Sequence, residues 1–358
     1  MNLIIPMAGR SSRFPDVKPK WMLTHPSGNF MVIEAIRGLN LNDFKSVYFI
    51  YLQEHEEQHH FLKGFREELE DLGLSGKSKF VSLNKSTRDQ PETVEQGILQ
   101  GKISGPMLIK DSDNFFRADV GDQNGVCFAD LNKVGLIKPK NKSYITTDAR
   151  GNVVNIVEKL VISSSFCVGG YAFSDAALFL DGLSKLDPSR ERYISHVIYQ
   201  LMLGGKTFQA IETESYSDWG TIEDWDRFKK SYGTLFIDLD GTLVKNSSAH
   251  FPPYVGQSEP ILPNIEIVRQ LQQSGKFEII ITTSRPEKFR AITEAQLDKL
   301  GIRHRGLIMG LQHSKRIIIN DYSKSNPYKS CDAINLKRNA DDLREIMRES
   351  LGIDYEEI

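Results

Sequence analysis

The sequence is poor in cysteine, with Cys127, Cys167 and Cys331 as the three in 358 residues, odd in number and far apart. That excludes a disulfide framework and a cysteine metal quartet, and it suits a reducing cytoplasm. Long apolar runs are also missing. The longest, such as FEIIIT and RIIIN, have the length of strands, well short of the roughly 20 residues that span a bilayer, so no membrane partner is expected. The opening residues MNLIIPMAGR carry neither a basic leader nor a small-residue cleavage site, which makes a cytoplasmic location the expectation. No sign of charge dominates: 45 Lys and Arg stand against 47 Asp and Glu, for a formal net charge of −2. Nothing in that balance selects nucleic acid or an anionic surface as a partner. What is present is the mixture of a soluble globular chain, 40% hydrophobic and 26% charged. A length of 358 residues argues for two domains rather than one core.

Segments rich in β-branched and aromatic residues alternate with helix-like stretches, the pattern of an α/β fold with a largely parallel sheet. Strands are expected at residues 3–7, 47–52, 80–83, 107–110, 134–138, 143–147, 153–158, 166–173 and 207–211. A helix is expected over 91–102, with proline in its first turn and Val94, Ile98 and Leu99 on one face. Near residue 231 the pattern restarts, with strand 235–237, helix 263–273, strand 277–282, helix 286–300 closed by Gly301, strand 316–319 and helix 339–351. The expected domains are therefore 1–230 and 231–358.

The stretch LIIPMAGRSSRFPDVKPKWML places a strand, a small-residue loop and then Arg10, Arg13, Lys18 and Lys20. Such a loop can aim backbone N–H groups at phosphates while the basic side chains neutralise them; by itself it reads as well as a surface turn. Acidic positions add to it. Strand 107–110 ends in Asp111-Ser-Asp113, and open α/β sheets place their chemistry at the carboxyl ends of strands. A second acidic position, Asp218, lies in Ser217-Asp-Trp-Gly-Thr221. Two carboxylates of this kind can hold Mg²⁺ against a triphosphate.

Taken together, Pro-Met-Ala-Gly-(x)3-Arg13-Phe, Lys18-Pro-Lys20, Gln90-Pro-Glu-Thr93-Val, Asp113, Val157-Glu-Lys159, Gly169-Gly170-Tyr171 and Asp218-Trp-Gly-Thr221 resemble the sugar-phosphate nucleotidyltransferases. The resemblance implies a Rossmann-like, GT-A-like mixed sheet. It also implies attack of a sugar or polyol phosphate on the α-phosphorus of a nucleoside triphosphate, with pyrophosphate released. Arg13 would then hold the β- and γ-phosphates, and Lys20 the α-phosphate and the incoming phosphate. Met7, Ala8, Gly9, Arg10, Ser11, Ser12, Gln90, Thr93 and Asp111 would contact the nucleotide, and Lys159, Gly170 and Tyr171 the acceptor. Asp113 and Asp218 would hold Mg²⁺. Where the family loop has glycine, this chain has Ser11, which narrows the approach of backbone to phosphate. That substitution, with KPKWML, is more similar to the subgroup found with capsule and lipopolysaccharide genes. The subgroup favours CTP as donor and a sugar or polyol phosphate as acceptor, with choline phosphate as an alternative.

The second half opens on Leu-Phe-Ile-Asp238-Leu-Asp240-Gly-Thr-Leu, whose two carboxylates, two residues apart on a strand end, point the same way. One could attack phosphorus while the other moves a proton, given a cation to relieve their repulsion. The stretch resembles the haloacid-dehalogenase (HAD) superfamily phosphatases, and with it come Thr283-Ser284-Arg285 and Arg316-Ile-Ile-Ile-Asn-Asp321. By that resemblance Asp238 is the nucleophile and Asp240 the acid and base. Thr283, Ser284 and Lys315 bind phosphate, with Arg316 a rival to Lys315. Asp238, Asp240 and Asp321 form the metal site. Between Thr242 and Pro263 there is room for no more than a small cap. The alternative is a regulatory or dimerisation module that keeps the fold; homo-oligomerisation stays open.

His55, His59 and His60 suit a solvated helix face better than a metal site. Trp21 and Tyr171 read as core or as pocket lining, and Cys167 as a buried small hydrophobe. The leading expectation is a bifunctional, Mg²⁺-dependent nucleotidyltransferase and phosphatase for surface-polysaccharide synthesis.

Overall fold

A computed structural model describes residues 1–9, 18–134, 138–321 and 330–351. The chain forms two compact units, Met1–Trp225 and Asp226–Ile358.

The first unit contains strands β1 (Asn2–Pro6), β2 (Ser46–Leu52), β3 (Ser78–Leu83), β4 (Met107–Lys110), β5 (Asn114–Arg117), β6 (Gly125–Asp130), β7 (Ser143–Thr147), β8 (Val153–Glu158), β9 (Ser165–Phe173), β10 (Gln209–Glu212) and β11 (Glu214–Asp218). Its helices are α1 (Met31–Ile36), α2 (Gln53–His59), α3 (Leu62–Asp71), α4 (Gln90–Gly101), α5 (Ala176–Ser184) and α6 (Ile194–Leu203), and the division between units falls inside α7 (Ile222–Lys230). The main sheet runs β10-β6-β9-β4-β1-β2-β3, with the β7–β8 hairpin attached to β9. Strands β4, β1, β2 and β3 are parallel, and β9 runs antiparallel to both β4 and β6.

Alternation along the strands sends side chains to two cores. Leu3, Ile5, Val47, Phe49 and Tyr51 pack with α1 and α3 through Val32, Ile33, Phe65 and Leu69. Ile4, Ile50, Leu52 and Val81 pack on the other face with Val94 and Ile98 of α4, Phe179 of α5 and Val197 of α6. Covered on both faces, the parallel strands carry apolar residues at nearly every position. Because β1 and β4 are parallel neighbours, their carboxyl ends lie side by side. These are the points where the Met7-Ala8-Gly9 loop and the Asp111–Asp113 turn begin.

The expected strands 107–110, 143–147 and 153–158 form with those bounds. β5, β6 and β11 were not anticipated; ESYSD of β11 is too polar to read as a strand. The expected strand 134–138 is not observed at either end: Lys138 leads into a 3-10 turn, Pro139–Asn141, and 135–137 lie outside the described residues.

In the second unit β12 (Gly233–Asp238), β13 (Phe277–Thr282) and β14 (Gly306–Ile308) form a parallel sheet. Helix α8 (Leu262–Gln273) packs on it with α10 (Leu343–Leu351) through Ile265, Val268, Leu271, Leu343 and Met347. The expected helix 286–300 is a 3-10 turn, Glu287–Phe289, followed by α9 (Arg290–Lys299), and Gly301 takes φ +69° after it. Helix 339–351 begins only at Leu343. Strand 316–319 is corrected: the segment has no strand pairing, and Ile317, Ile318 and Ile319 are 76%, 55% and 92% exposed. A β-branched run becomes a strand where a sheet edge and a packing surface receive it, and here neither does.

Candidate active site

Met7 and Ala8 leave β1 buried, with the Met7 N–H donating to the Ile50 carbonyl at 2.7 Å, and Gly9 follows exposed. Arg10, Ser11, Ser12 and Arg13 lie outside the described residues. Beyond them Lys20 opens a 3-10 turn, Lys20–Met22, and its ammonium group pairs with Asp113. Trp21, next in line, belongs to the core, edge-on to Phe61 at 4.7 Å. His55 is buried beside it, not on the solvated face expected for that histidine group, and burial holds its pKa below the usual value.

At the end of β4 three structural details converge on Asp111. Its backbone N–H donates to the Gly169 carbonyl at 2.8 Å, and its carboxylate accepts from Gln90 Nε2 at 2.5 Å. Gly169 takes φ +79°, and a Cβ there would run into the Asp111 carboxylate, so glycine is required by conformation and by space. Burial first, and the neighbouring Asp113 second, push the Asp111 pKa up to about 6. Gln90 and Thr93 are held on the first turn of α4. The N-cap of that helix is Asp89, which accepts from the Glu92 N–H at 2.9 Å. Asp89 is itself gripped by Arg192 at 2.9 and 3.2 Å.

Lys110 lies beneath the turn, fully buried. Its ammonium group donates to the Asp111 carbonyl at 2.8 Å and to the Asn114 carbonyl and side chain at 2.8 and 2.6 Å, and it lies 4.6 Å from the centre of the Phe116 ring. Burial lowers its pKa to about 8, against the pull of Asp111 and Asp113. Three oxygen acceptors on one buried cation fix the backbone that presents Asp113.

Asp218 reaches the same place from the other end of the unit. β11 pairs antiparallel with β5, Asp218 opposite Asn114, and the Trp219 N–H donates to the Asp113 carbonyl at 3.0 Å. Trp219 is buried against His25, 5.5 Å between rings. Asp218 Oδ2 is 2.6 Å from Lys142 Nζ, and Lys142 also donates to the Tyr216 hydroxyl at 2.9 Å. Burial works against the charge on Lys142, but Tyr216 and Asp218 outweigh it and raise its pKa. The structure thus brings together Lys20, Gln90, Asp111, Asp113, Gly169 and Asp218, with Lys110 and Lys142 supplying unforeseen positive charge.

Of the remaining positions, Gly170 sits in β9 opposite Lys110, and a Cβ there would come within 2.7 Å of the Phe116 ring. Tyr171 is part of the core. Cys167 is buried, and burial raises its thiol pKa well above the usual value. Lys159 takes φ +57°, and its ammonium group bonds the Tyr193 hydroxyl and lies 4.3 Å from that ring centre, while its N–H donates to the Lys142 carbonyl at 3.1 Å.

Mg²⁺ suits the donors present. Asp113 just before β5 and Asp218 at the end of β11 offer hard oxygens on paired elements, and each is already met by an ammonium group. Among the described residues no group of three or more His, Cys, Asp or Glu side chains is placed to hold a metal. Two carboxylates completed by phosphate oxygens are a usual Mg²⁺ environment.

In the second unit Asp238 ends β12 and is half-exposed; burial and then Asp240 raise its pKa, against Arg316. Asp240 is bound on both oxygens by Arg285, and it accepts from Thr283 Oγ1 at 3.3 Å and Ser247 Oγ at 2.6 Å. Its side-chain lone pairs are therefore taken up, which leaves little for a metal. Of the two basic candidates Arg316 is the one beside Asp238, 3.9 Å away, and it also donates to Ser284 at 3.1 Å. Lys315 is exposed, and among the described residues Arg316 rather than Lys315 lies beside Asp238. Asp321 is likewise exposed, and among the described residues it has no hydrogen bond or ion pair to Asp238 or Asp240.

No family model matches the chain, and no curated protein matches it. Solved structures do. A nucleoside-diphosphate-sugar pyrophosphorylase from Vibrio cholerae RC9 superposes with TM-score 0.53 at 21% identity, over 63% of this chain and 98% of that one. The mixed sheet here is a nucleotidyltransferase fold. An inositol-1-phosphate CTP transferase from T. maritima gives TM-score 0.50 at 14% identity over 62% of this chain and 90% of its own. A UDP-glucose pyrophosphorylase complexed with UDP-glucose gives 0.50 at 15%, over 63% and 95%. At these identities the likeness is one of fold. No helix among the described residues is long and apolar enough to cross a membrane.

Proposed function

We propose that residues 1–230 form a nucleotidyltransferase domain that joins a nucleoside monophosphate unit, from CTP, to a sugar or polyol phosphate and releases pyrophosphate. The observation that carries this reading is the pair Asp113 and Asp218, each facing a lysine, at the end of a sheet with the nucleotidyltransferase fold. Two anions must be brought together in such a displacement, so neutralisation and alignment dominate over acid–base chemistry. In this reading Lys20 meets phosphate oxygens, Gln90 and Thr93 meet the nucleotide, and Lys159 meets the acceptor phosphate. Arg13 and the loop Arg10-Ser11-Ser12 complete the phosphate site in this reading. When bound, Mg²⁺ supplies charge neutralisation at the triphosphate. Choline phosphate is the alternative acceptor, and surface-polysaccharide synthesis in the cytoplasm the setting. Pyrophosphate release measured with each nucleoside triphosphate against a panel of phosphorylated sugars, polyols and choline tests it; folded protein without turnover on any pair would refute it.

Residues 231–358 we read as a HAD-like phosphatase domain with Asp238 as nucleophile. Asp238 at the end of a parallel strand, opposite Thr282 and 3.9 Å from Arg316, supports this. The grip of Arg285 on Asp240 favours a second reading, a module that keeps the fold without turnover. Phosphate release that disappears in Asp238→Asn supports the first; no release by the parent chain on the same panel supports the second.

A further inference from the structure

The site holds a cation of its own. Lys142 leaves the 3-10 turn Pro139–Asn141 and enters β7, and its side chain is 19% exposed, Asp218 15%. Nζ is 2.6 Å from Asp218 Oδ2 and 2.9 Å from the Tyr216 hydroxyl. The other oxygen of Asp218 accepts from the Gly220 N–H at 3.1 Å. Charge around Lys142 is dense: Lys110, Asp111 and Asp224 all interact with it electrostatically, and Lys20 neutralises Asp113 next door. Lys142 puts its ammonium group on a carboxylate that the transferase reading gives to a divalent cation.

We propose that Lys142 occupies the cation position at Asp218, so that the protein free of substrate does not hold a divalent cation tightly between Asp113 and Asp218. This rests on the transferase reading of the same residues. The physical basis is competition: an ammonium group in hydrogen-bond contact with Asp218 would have to give way for that carboxylate to hold a metal, and until then its positive charge repels a second cation. Lys142 is thus a positioning residue that sets when the metal enters.

The test is Mn²⁺ binding followed by electron paramagnetic resonance, without nucleotide. The full chain carries Asp238→Asn throughout, to remove the carboxylate at the end of β12 from the count. The Lys142 parent should bind Mn²⁺ weakly, and Lys142→Met should bind it at least tenfold more tightly. Adding Asp218→Asn should abolish the gain, and Lys142→Arg should stay weak. Unchanged or lower affinity in folded Lys142→Met overturns the inference. Should that variant not fold, Lys142→Gln, which keeps a donor without charge, is read in the same way. Tight Mn²⁺ binding by the parent also overturns it. Turnover does not enter the measurement, so a protein that releases no pyrophosphate with any substrate pair would sink the transferase reading while the Mn²⁺ result stands.

Discussion

Arg285 holds both carboxylate oxygens of Asp240, Nε at 2.7 Å from Oδ2 and Nη2 at 2.8 Å from Oδ1, with its side chain 3% exposed. Its remaining nitrogen donates to Thr293 and Gln296 of α9 at 3.2 and 2.9 Å. One guanidinium therefore ties the loop after β12 to α9. Removing one partner of such a pair leaves a buried charge uncompensated, at a cost of about 3–5 kcal/mol. Arg285→Met should lower the stability of the second unit by about that amount, as read from urea unfolding by a probe in that unit. Arg285→Lys should restore only part, because an ammonium group cannot make the two-pronged contact. A loss below about 1 kcal/mol, the size of an exposed pair, would show that water compensates Asp240.

Arg192 and Asp89 make a comparable pair in the first unit, 8% and 4% exposed. Here the carboxylate also caps α4, so the pair and the helix start depend on each other. Arg192→Ala and Asp89→Ala should each destabilise the first unit by about 3–5 kcal/mol. The double variant should cost clearly less than the sum, because the second change removes the charge the first had stranded. Simple additivity in denaturant unfolding would mean that the two side chains act separately.

How far the sequence discloses this architecture depends on the kind of signal. Strands such as MLIK and VVNIVE stand out by their short apolar, β-branched runs, Asp113 stands out as a carboxylate just past the end of such a strand, and Asp218 stands out only through the Asp-Trp-Gly-Thr motif, since its strand is too polar to read. Lys142 gave no such warning. It sits in KPKNKSY, where one lysine among several reads as solvent-facing, and only the pairing of β11 with β5 brings Asp218 to it. Lys110, a charge at the end of an otherwise apolar strand, is not singled out either, and its three acceptors explain it. The run RIIIN misled for the converse reason: local preference is strong there, but a strand needs a neighbour, and the structure gives this one none.

Gly169 is a point where conformation and space act together. With φ at +79°, any other L-residue is strained, and a Cβ would overlap the Asp111 carboxylate and come within 2.9 Å of Asn114 Nδ2. Gly169→Ala should cost the first unit about 2–4 kcal/mol, combining backbone strain with overpacking. It should also displace Asp111 from Gln90, and pyrophosphate release should fall more than tenfold. A variant with normal release and normal stability would show that the turn relaxes freely.

Asp111 gives the site a pH dependence whose direction can be worked out. Its pKa is pushed up to about 6, by burial first and by Asp113 second, from an unfolded value of 3.8. Between those values the folded protein binds more protons at this position than the unfolded chain, so stability at this residue falls as pH rises from about 4 to 6. Above pH 6 both states are ionised and the penalty is constant. Asp111→Asn removes the titration while the amide oxygen can still accept from Gln90. The variant should therefore match the parent near pH 4 and exceed it at pH 7 by about 1–3 kcal/mol, the free energy of a shift of this size less what residual solvent screens. Urea unfolding at pH 4, 5, 6 and 7 measures the difference. Parallel curves across that window would show that Gln90 and Lys110 fully offset the burial of the carboxylate. A gain that grows with pH would show that the protein gives up stability to keep a carboxylate at the mouth of the site.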